Sequence, residues 1–88
     1  NELLTPNLRV ARERYMKLKV KGVNEFIKEL YTEKGKVLGT FEMDVDGYFY
    51  FWRNEKLTGC DSSNILRGIA DKLDEVNKEW DEHLKNNL

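Results

Sequence analysis

The 88 residues suffice for one core but not for two domains, so 1–88 is read as a single domain; 40% hydrophobic and 35% charged residues exclude wholesale disorder. A formal net charge of −1 gives no global attraction to nucleic acid or an anionic membrane, and no apolar run approaches the roughly 18 residues of a membrane span. One cysteine excludes an internal disulfide and fits a reducing, cytoplasmic setting.

Taken in order, Thr5-Pro6 has the form of a helix start. Thr serves as N-cap and Pro takes the first helical position, where a missing N–H costs nothing. Leu8 and Ala11 follow at helical spacing, and a short helix is expected from Pro6 to Arg14. From Met16 the pattern alternates strictly, with Met16, Leu18 and Val20 apolar and Lys17, Lys19 and Lys21 basic, which predicts a strand over 15–21, with one helix throughout as the rival reading. Gly22 punctuates. Val23, Phe26, Ile27, Leu30 and Tyr31 then recur at i, i+3, i+4, i+7 and i+8. That is the stripe of an amphipathic helix over about 23–34, with Gly35 placed as its C′ residue.

Lys36 to Arg53 predicts a β-hairpin. Asp46-Gly47 separates two runs rich in β-branched and aromatic residues, and a two-residue turn there needs a positive φ that Asp tolerates and Gly takes freely. This register sets Val45 against Tyr48, Met43 against Tyr50 and Phe41 against Trp52, which together are expected to form the core side. Leu38, Phe49 and Phe51 then share the opposite face with Glu42 and Asp44, where water is expected. As apolar groups surplus to the core, these three are the candidate protein interface.

Beyond a polar loop, Asp61, Ser62 and Ser63 offer N-caps for a helix over about 62–85, with Ile65, Leu66, Ile69, Leu73, Val76, Trp80 and Leu84 along one face. Gly68 inside it costs roughly 1 kcal/mol relative to Ala and points to close approach of helix and sheet. The expected fold class is α+β, a two-layer sandwich. Its antiparallel sheet contains the 36–53 hairpin, helices of about 23–34 and 62–85 pack on one face, and a short N-terminal helix is added.

The balanced total hides an asymmetry. Residues 1–37 carry nine Lys/Arg against five Asp/Glu, and residues 38–88 six against eleven. Arg9, Arg12, Arg14, Lys17, Lys19 and Lys21 are the candidate nucleic-acid contacts, with Tyr48 or Tyr50 as stacking platforms if their face is open. The same lysines on an edge strand would equally guard against edge-to-edge pairing.

No constellation for catalysis, metal or cofactor emerges. Asp44, Asp46 and Glu55 fit positions 1, 3 and 12 of a calcium loop, but Gly47 is fourth where the sixth is required, and Tyr48 occupies an oxygen-ligand position. The run GYFYF at 47–51 invites comparison with the RNA-recognition motif. Asp46 stands where that motif has a basic residue, Phe49 where it has a small one and Arg53 where it has an aromatic, and no fourth strand follows, so the family is not assigned. Cys60 and His83 are the lone thiol and imidazole, without ligand spacing or a second histidine. The expectation is therefore a small non-enzymatic protein, without cofactor or metal, that docks through its aromatic hairpin on a protein partner or on itself as a homodimer. Nucleic-acid binding through 9–21 is the alternative. Size and plainness suit an accessory protein of a phage or mobile element.

Overall fold

A computed structural model describes residues 17–59 and 61–87. Four strands follow one another, β1 (Leu18–Asn24), β2 (Ile27–Thr32), β3 (Val37–Met43) and β4 (Phe49–Arg53), and then one helix, α1 (Ser63–Asn86). Each strand pairs antiparallel with the next, giving an open sheet of order β1-β2-β3-β4 with α1 laid across one face. The α+β layering expected from the sequence is present, but among the described residues it holds one helix, not two. The expected N-terminal helix lies outside the described residues.

The segment read as a helix over 23–34 is the end of β1, a tight turn and all of β2. The physical reason is local. The side-chain carbonyl of Asn24 accepts the Phe26 N–H at 2.8 Å, closing a turn where helical bonding would otherwise propagate. Spacings of i, i+4 put residues on one side of a strand as well as of a helix, so Phe26/Leu30 and Ile27/Tyr31 satisfied both periods. The two signals also share Gly35. It has φ +92° and lies in a hairpin loop, a conformation a helix C′ residue would also need.

Both longer hairpins use the same loop. In one, Thr32 N–H donates to Lys36 O and Gly35 N–H to Thr32 O; in the other, Asp44 N–H donates to Tyr48 O and Gly47 N–H to Asp44 O. Each is a three-residue loop whose last residue is a left-handed glycine, Gly47 having φ +87°. The turn expected at Asp46-Gly47 is therefore one residue longer than a two-residue turn. That slip pairs Met43 with Phe49, Phe41 with Phe51 and Gly39 with Arg53. A one-residue slip exchanges the two faces of a strand. The core side expected from the sequence is thus reversed in β4.

Phe41, Phe49 and Leu30 are fully buried, Leu18, Leu38, Ile69 and Val76 are buried beside them, and Val20, Met43, Phe51, Leu57, Ile65, Leu73 and Trp80 pack around this core. Phe41 meets Phe51 edge-on at 5.9 Å, and Trp80 meets Phe49 at 6.1 Å. Leu38 joins this core because the β2–β3 register shifts between Leu30 and Tyr31, which breaks the alternation that would otherwise turn it away. Gly39 is obligatory for a steric reason. A Cβ there would fall 2.7 Å from the Phe51 ring and closer still to the Trp52 carbonyl.

The helix begins at Ser62, whose hydroxyl accepts the Ile65 N–H at 3.2 Å. Arg53 anchors the loop leading into it, donating to Leu57 O, Gly59 O and the Asp61 carboxylate. At Gly68 α1 comes close to β1, since a Cβ there would lie 3.2 Å from Leu18 Cδ1. One polar residue breaks the apolar stripe. Asn77 accepts the Phe49 N–H at 2.8 Å and donates to Phe49 O at 3.2 Å. Those two groups face away from β3, so the helix supplies the pairing that a fifth strand would otherwise give. Asn77→Ala should lower the unfolding free energy by about 1–3 kcal/mol and speed exchange of the Phe49 amide. Urea unfolding and hydrogen exchange measure both, and unchanged midpoints would contradict this role.

Candidate interaction face

With α1 on one side, nothing among the described residues covers the other side of the sheet. Its composition follows from the register. The row Lys21–Glu29–Thr40–Trp52 crosses all four strands, and Ile27–Glu42–Tyr50 lies beside it. Tyr31 pairs with Lys19 at the other end. Trp52 is 55% exposed, Tyr50 44% and Tyr48 52%. These three aromatics line one side of β4 and its loop, while Lys19 and Lys21 project from β1 at the far edge. Thr40 donates its hydroxyl to Glu42 at 2.6 Å, holding that carboxylate in the middle of the face.

The residues singled out from the sequence separate cleanly. Leu38 is 6% exposed, Phe49 1%, and Phe51 is half-buried against the core, so the interface expected of them has almost no surface to act through. For Phe49 and Phe51 the reason is the longer loop described above, and for Leu38 the β2–β3 register shift. Lys17, Lys19 and Lys21 are exposed. Arg9, Arg12 and Arg14 lie outside the described residues, as does Cys60. His83 stacks against Trp80 at 5.4 Å near the outer end of α1. Trp80 in turn meets Phe26, and Lys28 Nζ stands 5.5 Å over the Phe49 ring, so the helix end closes an aromatic cluster.

A two-residue turn would place Tyr48, Tyr50 and Trp52 in the core, whereas the three-residue loop turns them outward. A signal for the correct side was present in residue type. Phe49 and Phe51 have no polar atom to satisfy, whereas Tyr and Trp carry an O–H or N–H that tolerates water. The parity holding both phenylalanines is the better core candidate on that ground alone.

The loop at the edge of this face is tightly bonded. Asp46 accepts the Tyr50 hydroxyl and, at 3.0 Å, the Tyr48 N–H, while Asp44 accepts the Val45 N–H at 2.8 Å. Both carboxylates are thus engaged within the hairpin, which is a different use from the calcium-loop spacing. Among the described residues no group of three or more His, Cys, Asp or Glu could hold a metal ion, and no helix is long and apolar enough to cross a membrane. Compared with models of protein families, with curated proteins and with solved structures, the chain matches none.

The hydrogen bond from Tyr50 holds Asp46 below the ordinary carboxylate range, helped by the Tyr48 N–H, and the same bond raises the Tyr50 phenol. The sign follows from linkage. The lowered carboxylate contributes stability above its unfolded value and loses it as pH falls through the folded one; the raised phenol contributes below its unfolded value and loses it as pH rises through the folded one. The pair therefore supports the hairpin across the neutral range. Tyr50→Phe should return Asp46 towards an ordinary carboxylate value in an NMR titration. A titration midpoint that does not rise would show that the hydroxyl is not the cause.

Proposed function

We propose that this chain is a small, non-enzymatic docking protein whose working surface is the open face of the sheet, centred on Tyr50 and Trp52. The observation that carries the reading is their exposure on regular strand positions. Tyr50 and Trp52 oppose Glu42 and Thr40, so they add little to the core, yet large aromatics on an accessible face are what protein interfaces use as anchors. The aromatic hairpin remains the element that docks, by its tyrosines and tryptophan instead of by Phe49 and Phe51. A partner in a reducing, cytoplasmic setting suits a chain with a single cysteine.

Nucleic acid is the second reading, favoured by one observation. Tyr48 and Tyr50 are open for stacking, and Lys19 and Lys21 flank the same face. Glu29 and Glu42 count against it, because they stand between the basic edge and the aromatic edge, on the path a phosphate backbone would take. A protein surface fits this mixture better.

The immobilised chain should retain a nuclease-resistant protein, or further copies of itself, and lose it on Tyr50→Ser/Trp52→Ser. Asp74→Ser, on the outer side of α1, should leave retention unchanged. Retention that survives the double substitution, or that disappears with nuclease, would refute a protein-docking role for this face.

A further inference from the structure

We infer that the occupant of the open face is a second copy of this chain, packed face to face about a two-fold axis that runs along the strands. The inference rests on the docking reading above and narrows it to one partner. Its basis is the order of side chains across the sheet. Reading from β1 to β4, the central row is basic, acidic, hydroxyl and aromatic: Lys21, Glu29, Thr40, Trp52.

A two-fold axis lying in the plane between two such faces, parallel to the strands, sets β1 of one copy over β4 of the other. Lys21 then stands over Trp52 of the second copy, twice per dimer, and Glu29 over Thr40. Ammonium over indole is an attractive pairing, and no like charges oppose one another in that row. The alternative axis, across the strands, sets Lys21 over Lys21 and Glu29 over Glu29. Charge therefore selects one of the two face-to-face arrangements. Sheets packed in this way keep their strands within about 30° of parallel, so the row-on-row correspondence survives the twist.

Edge-to-edge association is disfavoured by separate features. On β4, Asn77 already occupies the Phe49 N–H and C=O. On β1, alternate lysines line the other edge. Among the described residues, the sheet face carries the exposed aromatics Tyr50 and Trp52 side by side with the complementary charged row. Its size sets the strength. Four strands about 4.8 Å apart and five to seven residues long at about 3.3 Å per residue present roughly 300–400 Å² per protomer. That is about half the area per partner of a standard stable interface, so the dimer belongs to the weak, concentration-dependent class.

The test is light scattering of the full chain across concentration. The mass should rise from one chain to two in the micromolar range. Trp52→Ser and Lys21→Gln, both exposed positions, should each move the midpoint roughly tenfold higher. Mixing those two variants is the decisive arm. A mixed dimer keeps one intact contact, Lys21 of the Trp52→Ser chain over Trp52 of the Lys21→Gln chain, so the mixture should associate more tightly than either variant alone. A wild-type mass of one chain throughout, a dimer indifferent to both substitutions, or a mixture no tighter than its components would each overturn the proposal. A single-chain mass with capture of a different protein still dependent on Tyr50 and Trp52 would overturn self-pairing and leave the docking reading standing. A single-chain mass that grows on adding an oligonucleotide would overturn both in favour of nucleic acid.

Discussion

The left-handed glycine at position 47 is the constraint on which the rest depends. With φ +87° it closes a three-residue loop in which Asp44 N–H meets Tyr48 O, and this pair starts the β3–β4 ladder. Every later pair follows from it. Met43 meets Phe49 and Phe41 meets Phe51, so the phenylalanines of β4 are driven inward against α1. Tyr50 and Trp52 are driven outward by the same geometry. One residue in a loop decides which aromatics hold the molecule together and which meet solvent.

The helix answers that arrangement. Trp80 covers Phe49 and Phe26, Ile69 and Val76 seal the centre, and the helix outruns the sheet. Twenty-four residues span about 36 Å, against roughly 17–23 Å for strands of five to seven residues, and residues 81–87 are exposed beyond Trp80. Asn77 gives the contact its direction. Apolar packing tolerates sliding, whereas an amide bonded to both the N–H and the C=O of one residue does not. The same side chain occupies the outward N–H and C=O of Phe49 on the β4 edge. Positive choice of packing and protection against mispairing are therefore met by one residue.

The two sides of the sheet are built from different aromatic chemistry. The helix side holds phenylalanines, which give up nothing on leaving water. The open side holds tyrosines and a tryptophan, with Asp46 tied to Tyr50 and Glu42 to Thr40. Fixing the carboxylates and the phenol ring before any partner arrives lowers the ordering cost of association, which matters most for a face of modest area. The basic edge of β1 and the aromatic edge of β4 then lie at opposite ends of one row, which is the order on which the proposed self-pairing rests.

What the sequence alone determined was whatever depends on near neighbours along the chain. The six-turn helix, its cap among Asp61–Ser63, the hairpin over 36–53 and the alternation within β4 could all be read from spacing and turn residues; a strand was expected over 15–21, but β1 runs on through Gly22 to Asn24. The close approach at Gly68 was legible for the same reason. What needed the tertiary structure was choice between near-equal local options. Residues 23–34 satisfied both helical and strand spacing, and β2 won because it pairs on both sides, with β1 and with β3. Gly35 and Gly47 announced positive φ without stating the loop length, and a difference of one residue there reversed the faces of β4. Leu38 reached the core through a register shift that no local pattern contains. Turn propensities differ by little, whereas burying Phe41, Phe49 and Phe51 together stabilises the fold by several kcal/mol on the scale of about 1.5–3 for each such side chain. The larger, non-local term settles the register, and with it the identity of the open face.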